Sequence, residues 1–159
     1  MNVQTVASAS LALSLLACSG SGGSGGKPDL PAGWEGAQSV KSFTQAACSG
    51  SPGLPGGPSE SIDVDAGQGA VNVAYHNANF RCAQTVEGFM RTGSKSVDFL
   101  VQPTNMKPSS VARCDCLYEI ALAAGVPAGP TTVTLYRRWD EQSGNTNPVE
   151  IGTEAVDVP

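Results

Sequence analysis

The hexapeptide AVNVAY, residues Ala70–Tyr75, decides the fold class. Val71, Val73 and Tyr75 fall on one side of an extended chain. Asn72, Ala74 and His76 fall on the other. A period of two marks a strand with one buried face. The same signal recurs downstream. Asn77 to Cys82 is rich in asparagine and predicts a bend or bulge. Val86, Gly88 and Met90 share a face, and the chain then turns through Gly93. Val97, Phe99 and Val101 alternate until Pro103 ends the run, and Met106 to Ser110 is a loop. Leu117 to Ala124 places Tyr118, Ile120 and Leu122 together. Its alanines also suit a short helix, but Gly125-Val126-Pro127-Ala128-Gly129-Pro130 breaks the chain at once, which favours a strand. Thr131 to Tyr136 carries β-branched and aromatic residues, and Ile151 to Val158 supplies a last edge strand. Upstream, Ser61 to Asp65 alternates, Ser49 to Pro58 is a Gly/Pro loop, and Ser39 to Thr44 predicts an edge strand.

About seven or eight strands with regular turns predict an all-β, antiparallel, immunoglobulin-like sandwich, with a barrel as the alternative. No helical run is long enough for a βαβ unit, and the sequence has no internal repeat. The 19 glycines and 11 prolines fit many turns. Charged residues make up 14% of the 159, so Ser, Thr, Asn and Gln must cover much of the surface. The net charge is −5 and Arg137-Arg138 is the only adjacent basic pair, with Asp140 and Glu141 close behind. Nucleic-acid binding wants basic clusters, so it is not expected.

Val6 to Leu16 is a short apolar run that ends in Leu15-Leu16-Ala17-Cys18 and passes into a Ser/Gly stretch. It is too short to span a bilayer, which needs about 20 residues, and it lies where a signal peptide lies. The four residues resemble the lipobox of bacterial lipoproteins. The residues before the apolar run carry no Lys or Arg. The resemblance implies that residues 1–17 are a leader and that Cys18 becomes the lipidated first residue. Ser19, in place of an aspartate, implies an outer-membrane anchor, periplasmic or surface-facing. Residues 18–33 then form a tether, and 34–159 a single domain. The Gly/Ser part of that tether reaches about 15 Å on average. Gly22-Gly23-Ser24-Gly25-Gly26 matches a hydrolase elbow only formally, because that motif needs a preceding strand and a following helix.

A second resemblance covers roughly Val71 to Arg137. Asn79-Phe80-Arg81-Cys82, Cys114-Asp115-Cys116-Leu117-Tyr118 and the run from Gly125 through Leu135 resemble elements of small immunoglobulin-like sandwich domains in bacterial secreted lipoproteins. This chain has one cysteine at Cys82 where those domains often have two. The resemblance implies the fold and carries no catalytic residue.

With Cys18 lipidated, Cys48, Cys82, Cys114 and Cys116 remain, an even number suited to two disulfides in an oxidising compartment. Cys114–Cys116 is disfavoured, since a strand holds residues two apart about 6.6 Å from each other. Cys48 and Cys82 must then cross to Cys114 and Cys116. The order Cys82–Cys116 with Cys48–Cys114 is expected, and the other remains open. An alternative is a tetrahedral metal site of His76, Cys82, Cys114 and Cys116, although C-x-C is tighter than the usual knuckle.

Ser or Cys catalysis needs a positioned base; His76 is the only histidine, and no cysteine is expected to be free. Glu60, Asp63 and Asp65 lie near a loop. Calcium wants six to eight oxygens, so a solvated strand edge explains them better than a metal or a glycosidase pair. No catalysis and no cofactor are expected. A non-catalytic envelope domain that contacts a protein or a polymer is expected instead, with Trp34, Tyr136 and Trp139 as binding candidates. A metal- or redox-responsive module and a polysaccharide-binding domain are the alternatives. The oligomeric state is left open.

Overall fold

A computed structural model describes residues 28–52, 58–143 and 145–159. The leader 1–17, Cys18 and most of the tether lie outside the described residues. Among the described residues nine strands run in order: β1 Gln38–Ser39, β2 Ser42–Gln45, β3 Ser61–Gly67, β4 Ala70–Arg81, β5 Val86–Thr92, β6 Ser96–Pro103, β7 Asp115–Gly125, β8 Gly129–Arg137 and β9 Val149–Val158. One sheet has the order β1-β5-β6-β8-β9, and the other β2-β7-β4-β3. They pack face to face as a disulfide-stapled, immunoglobulin-like sandwich. Every pairing is antiparallel except β6 with β8.

The expected edge strand from Ser39 to Thr44 divides in two. Val40 N–H donates to Gly88 O in one sheet, and Lys41 N–H donates to Ala123 O in the other. The chain thus changes sheets between neighbouring residues. Further along, Leu117 to Ala124 is wholly strand, within β7.

The predicted alternation builds the core. Val71, Val73 and Tyr75 meet Val97, Phe99, Val101, Ile120, Leu122, Val133 and Leu135 between the sheets. Gly88 packs here because a Cβ would lie 2.7 Å from the Phe43 ring. In β4 the register against β7 shifts between Tyr75 and Ala78, and Asn77 adopts a φ of 55°. An extra residue reverses the parity of a strand. Before the bulge odd-numbered residues point inward; after it Ala78 and Phe80 do.

That bulge also sets the disulfides. Beyond it Phe80 pairs with Cys116 and Arg81 with Asp115. Without the extra residue Cys82 would face Arg113; with it, Cys82 faces Cys114. The two bridges are Cys82–Cys114 and Cys48–Cys116, with Cα separations of 5.5 and 5.8 Å. This corrects the expected order. Cys116 is buried in the core, and the segment around Cys48 runs antiparallel alongside β7, bridged between Gly50 and Leu117.

A smaller apolar cluster lies on the outer face of the first sheet. Trp34, Phe89 and Leu100 are buried there, with Leu30, Ala37 and Tyr136 packed against them. Asp29 O accepts hydrogen bonds from Gln102 and Arg138, so residues before Trp34 already join the fold.

Candidate functional site

Where β8 ends, the sequence reads Tyr136-Arg137-Arg138-Trp139-Asp140. Alternation sends the two arginines to opposite sides of the sheet. Arg138 joins Gln102 and Asp29 on the outer face. Arg137 turns toward β4. Its Nη1 donates to Glu60 Oε2 at 2.7 Å and to Asn79 O at 3.4 Å. Its guanidinium lies 4.9 Å from the centre of the Trp139 ring, whose indole also packs on Phe80. Glu60 further accepts the Asn79 N–H and the Tyr75 hydroxyl. Burial and the adjacent Glu60 carboxylate push the Tyr75 phenol well above its ordinary range, so it stays a donor.

Arg81, the last residue of β4, lies next to Cys82. Its Nη1 donates to Ala112 O, and its Nε lies 3.4 Å from Asp140 Oδ2. Asp140 is fully buried. It also accepts from Gln84 Nε2 at 2.8 Å and from the Ser143 N–H. A buried carboxylate needs such partners to stay in place.

These groups frame a recess of about 370 Å³, lined by Arg81, Asp115, Arg137, Trp139, Gln142, Ser143, Asn145 and Val149. That volume lies at the small end of ligand pockets, roughly 300 to 1,000 Å³. Among the described residues, three buried side-chain polar atoms lack a hydrogen-bond partner: Asn79 Oδ1, Arg81 Nε and Arg137 Nε. All three belong to this end of the sandwich. Arg81 Nε keeps its longer contact with Asp140, and buried orphan groups are uncommon in folded proteins, so Asn79 Oδ1 and Arg137 Nε single this end out. Arg81 also lines a neighbouring hollow of about 350 Å³ beside Cys82, bordered by Thr104, Asn105 and Ala112.

The predicted site residues are scattered. Trp34 is 3% exposed and serves as packing. Tyr136 meets it edge-on, with ring centroids 5.7 Å apart. Burial, with Asp98 and Glu150 nearby, raises the Tyr136 phenol above its ordinary value. Trp139 is the one predicted aromatic that borders the recess. Cys82, Cys114 and Cys116 are committed to disulfides, so they offer no thiolate to the alternative metal site with His76. No group of three or more His, Cys, Asp or Glu side chains among the described residues is placed to hold a metal ion.

His76 lies on the outer face of the second sheet. Its Nδ1 is 2.6 Å from Glu119 Oε2, and its Nε2 is 3.2 Å from Asp63 Oδ2. The hydrogen bond to Glu119 raises its pKa above the ordinary value, against a smaller opposing effect of burial. Glu60 and Asp63, near neighbours in sequence, therefore serve different groups, Arg137 and His76.

Sequence reasoning missed Arg81, Arg137 and Asp140 as site residues. The available signal was R-R-W-D closing a strand, where alternation must carry one arginine inward beside an aromatic ring. Comparison of the chain with protein-family models, with curated proteins and with solved structures finds no match.

Proposed function

We propose that the chain is a non-catalytic binding module of the bacterial cell envelope. In this reading Cys18 carries a lipid anchor in the outer membrane, and the Gly/Ser tether presents the sandwich to an envelope polymer or protein. The observation that carries the binding role is the recess between Arg81 and Arg137, with Trp139 at its border and the unpartnered Nε of Arg137 beside it. Two disulfides, consistent with an oxidising compartment, support the location. The non-catalytic part is supported by His76, whose ring nitrogens are both engaged by carboxylates. It therefore holds strands together and activates no nucleophile.

The test uses the full chain, extracted in detergent and sedimented with a purified envelope polymer fraction. Wild type is expected to co-sediment, and Trp139→Ala to lose most of that retention. Equal retention of the two would remove the recess from the binding surface. The Cys18→Ala variant is expected to move from the membrane to the soluble fraction of cells. Its persistence in the membrane would remove the lipid anchor from the reading.

A further inference from the structure

We infer that the recess beside Trp139 binds the carboxylate of an acidic sugar, a uronate unit of a glycan. The inference rests on the binding-module reading above and deepens it by naming the ligand chemistry.

The argument starts from which arginine atoms are already used. In both Arg81 and Arg137, Nη1 is the nitrogen that donates, to Ala112 O and to Glu60 and Asn79 respectively. No hydrogen bond among the described residues engages Nη2 of either side chain; Nε of Arg137 lacks a hydrogen-bond partner as well, whereas Nε of Arg81 faces the buried Asp140 carboxylate at 3.4 Å. Nε and Nη2 form the side-on edge of a guanidinium, the edge that receives two oxygens of one carboxylate. Arg137, whose edge is free, lines the recess, and Arg81 lines it beside Arg137 with its Nη2 unengaged. The Arg137 Nε is screened from solvent, so an incoming oxygen meets the Nη2 of that edge first.

The rest of the lining selects among carboxylates. Gln142, Ser143 and Asn145 provide amide and hydroxyl groups, and Asp115 accepts hydrogen bonds. This rim suits a ligand with several hydroxyls. Among the described lining residues only Trp139 and Val149 are apolar, which suits the recess poorly to a bulky apolar side chain. Glu60 and Asp140 already offset the two arginines, and Asp115 adds a negative charge. The recess thus carries no surplus of positive charge, and a ligand carboxylate is held there by directed N–H donors with its ring hydroxyls on the polar rim.

The experiment follows the arginine side-chain N–H resonances of the ¹⁵N-labelled full chain in detergent during titration. The probes are trigalacturonate, its methyl ester and a tripeptide with a free C-terminal carboxylate. Trigalacturonate is expected to shift the Arg81 and Arg137 signals at millimolar concentration, and the ester and the peptide at least tenfold less. Arg137→Lys keeps a cation for Glu60 but removes the forked edge. It is expected to weaken uronate binding about tenfold at unchanged fold, judged by the backbone spectrum. Asn145→Ala, on the exposed rim, is expected to weaken it severalfold. No arginine shift with trigalacturonate overturns the proposal, and so does an equal shift with the ester. Stronger binding of the peptide also overturns it and transfers the site to protein C-termini. Failure here with polymer co-sedimentation intact removes the uronate and leaves the binding module standing.

Discussion

Two arginine–tryptophan pairs in this molecule look alike and do different work. Arg91 lies 4.4 Å from the centre of the Trp34 ring, and Arg137 lies 4.9 Å from that of Trp139. In the first pair the guanidinium is turned into structure. Arg91 Nε donates to Asp98 at 2.8 Å, Nη1 donates to Gly33 O at 2.7 Å, and the indole is buried on Phe89 and Leu100. In the second pair Nη1 is used, but Nε has no partner and the head group borders a recess. A cation over an aromatic ring is thus no sign of a site by itself. Donors left unengaged beside open volume distinguish the second pair.

Four predictions test that distinction, from the largest effect down. Trp34→Ala removes a buried indole and is expected to cost about 3–5 kcal/mol, with binding at the recess unchanged in the folded fraction. Chemical denaturation with a parallel binding titration checks both halves. A loss below 1 kcal/mol would show that the outer cluster holds little of the fold together.

Removing Cys82–Cys114 by paired Ser substitutions should cost about 3 kcal/mol, since the bridge closes a loop between residues 32 apart. This bridge joins the strand ends that carry Arg81 and Asp115. Weakened uronate binding should accompany the lower stability, whereas Arg91 and Trp34 should keep their contact. Indole resonances of Trp34 and Trp139 report on the two places separately. Disturbance of Trp34 alone would contradict the assignment.

Arg91→Ala is expected to cost about 1 kcal/mol, the size of a partly exposed cation–π contact, and to leave ligand binding unaltered. Impaired binding in this variant would erase the contrast between the pairs.

The smallest effect concerns His76, which belongs to neither pair. Its folded pKa is raised above the unfolded value of about 6.5. The stability it contributes is therefore fully present below about pH 6.5, and it is lost as pH rises through the higher folded pKa. Surface exposure limits this contribution to about 1 kcal/mol or less. His76→Gln should flatten that part of the stability–pH curve and leave the recess untouched. An unchanged slope would mean that the Glu119 contact does not hold in solution.

Much of the sandwich was legible in the sequence, because a strand with one buried face writes its period directly into the chain. Val71, Val73, Tyr75, Val97, Phe99 and Val101 all lie in the core as alternation requires. The asparagine-rich stretch after Tyr75 was legible as a bulge. The consequence of that bulge was not. Moving the register by one residue brings Cys82 opposite Cys114, and which residue stands opposite belongs to two strands at once. The candidate site was legible only at Trp139. Trp34 reads as a contact residue in the sequence, whereas in the structure it is buried in a cluster with Phe89 and Leu100 against which Leu30, Ala37 and Tyr136 pack.

The sequence by itself determined the all-β class, the positions of the main strands and the four cysteines available for two bridges. Local alternation and turn chemistry are properties of short segments, so they survive without neighbours. The tertiary structure alone decided the disulfide order, the crossing between sheets at Val40-Lys41 and the burial of Asp140. It also decided the difference between Arg91 and Arg137. Whether a guanidinium is fully engaged depends on carbonyls and carboxylates that residues far away in sequence bring to it. Glu60 reaches Arg137 across 77 positions, and Gly33 reaches Arg91 across 58.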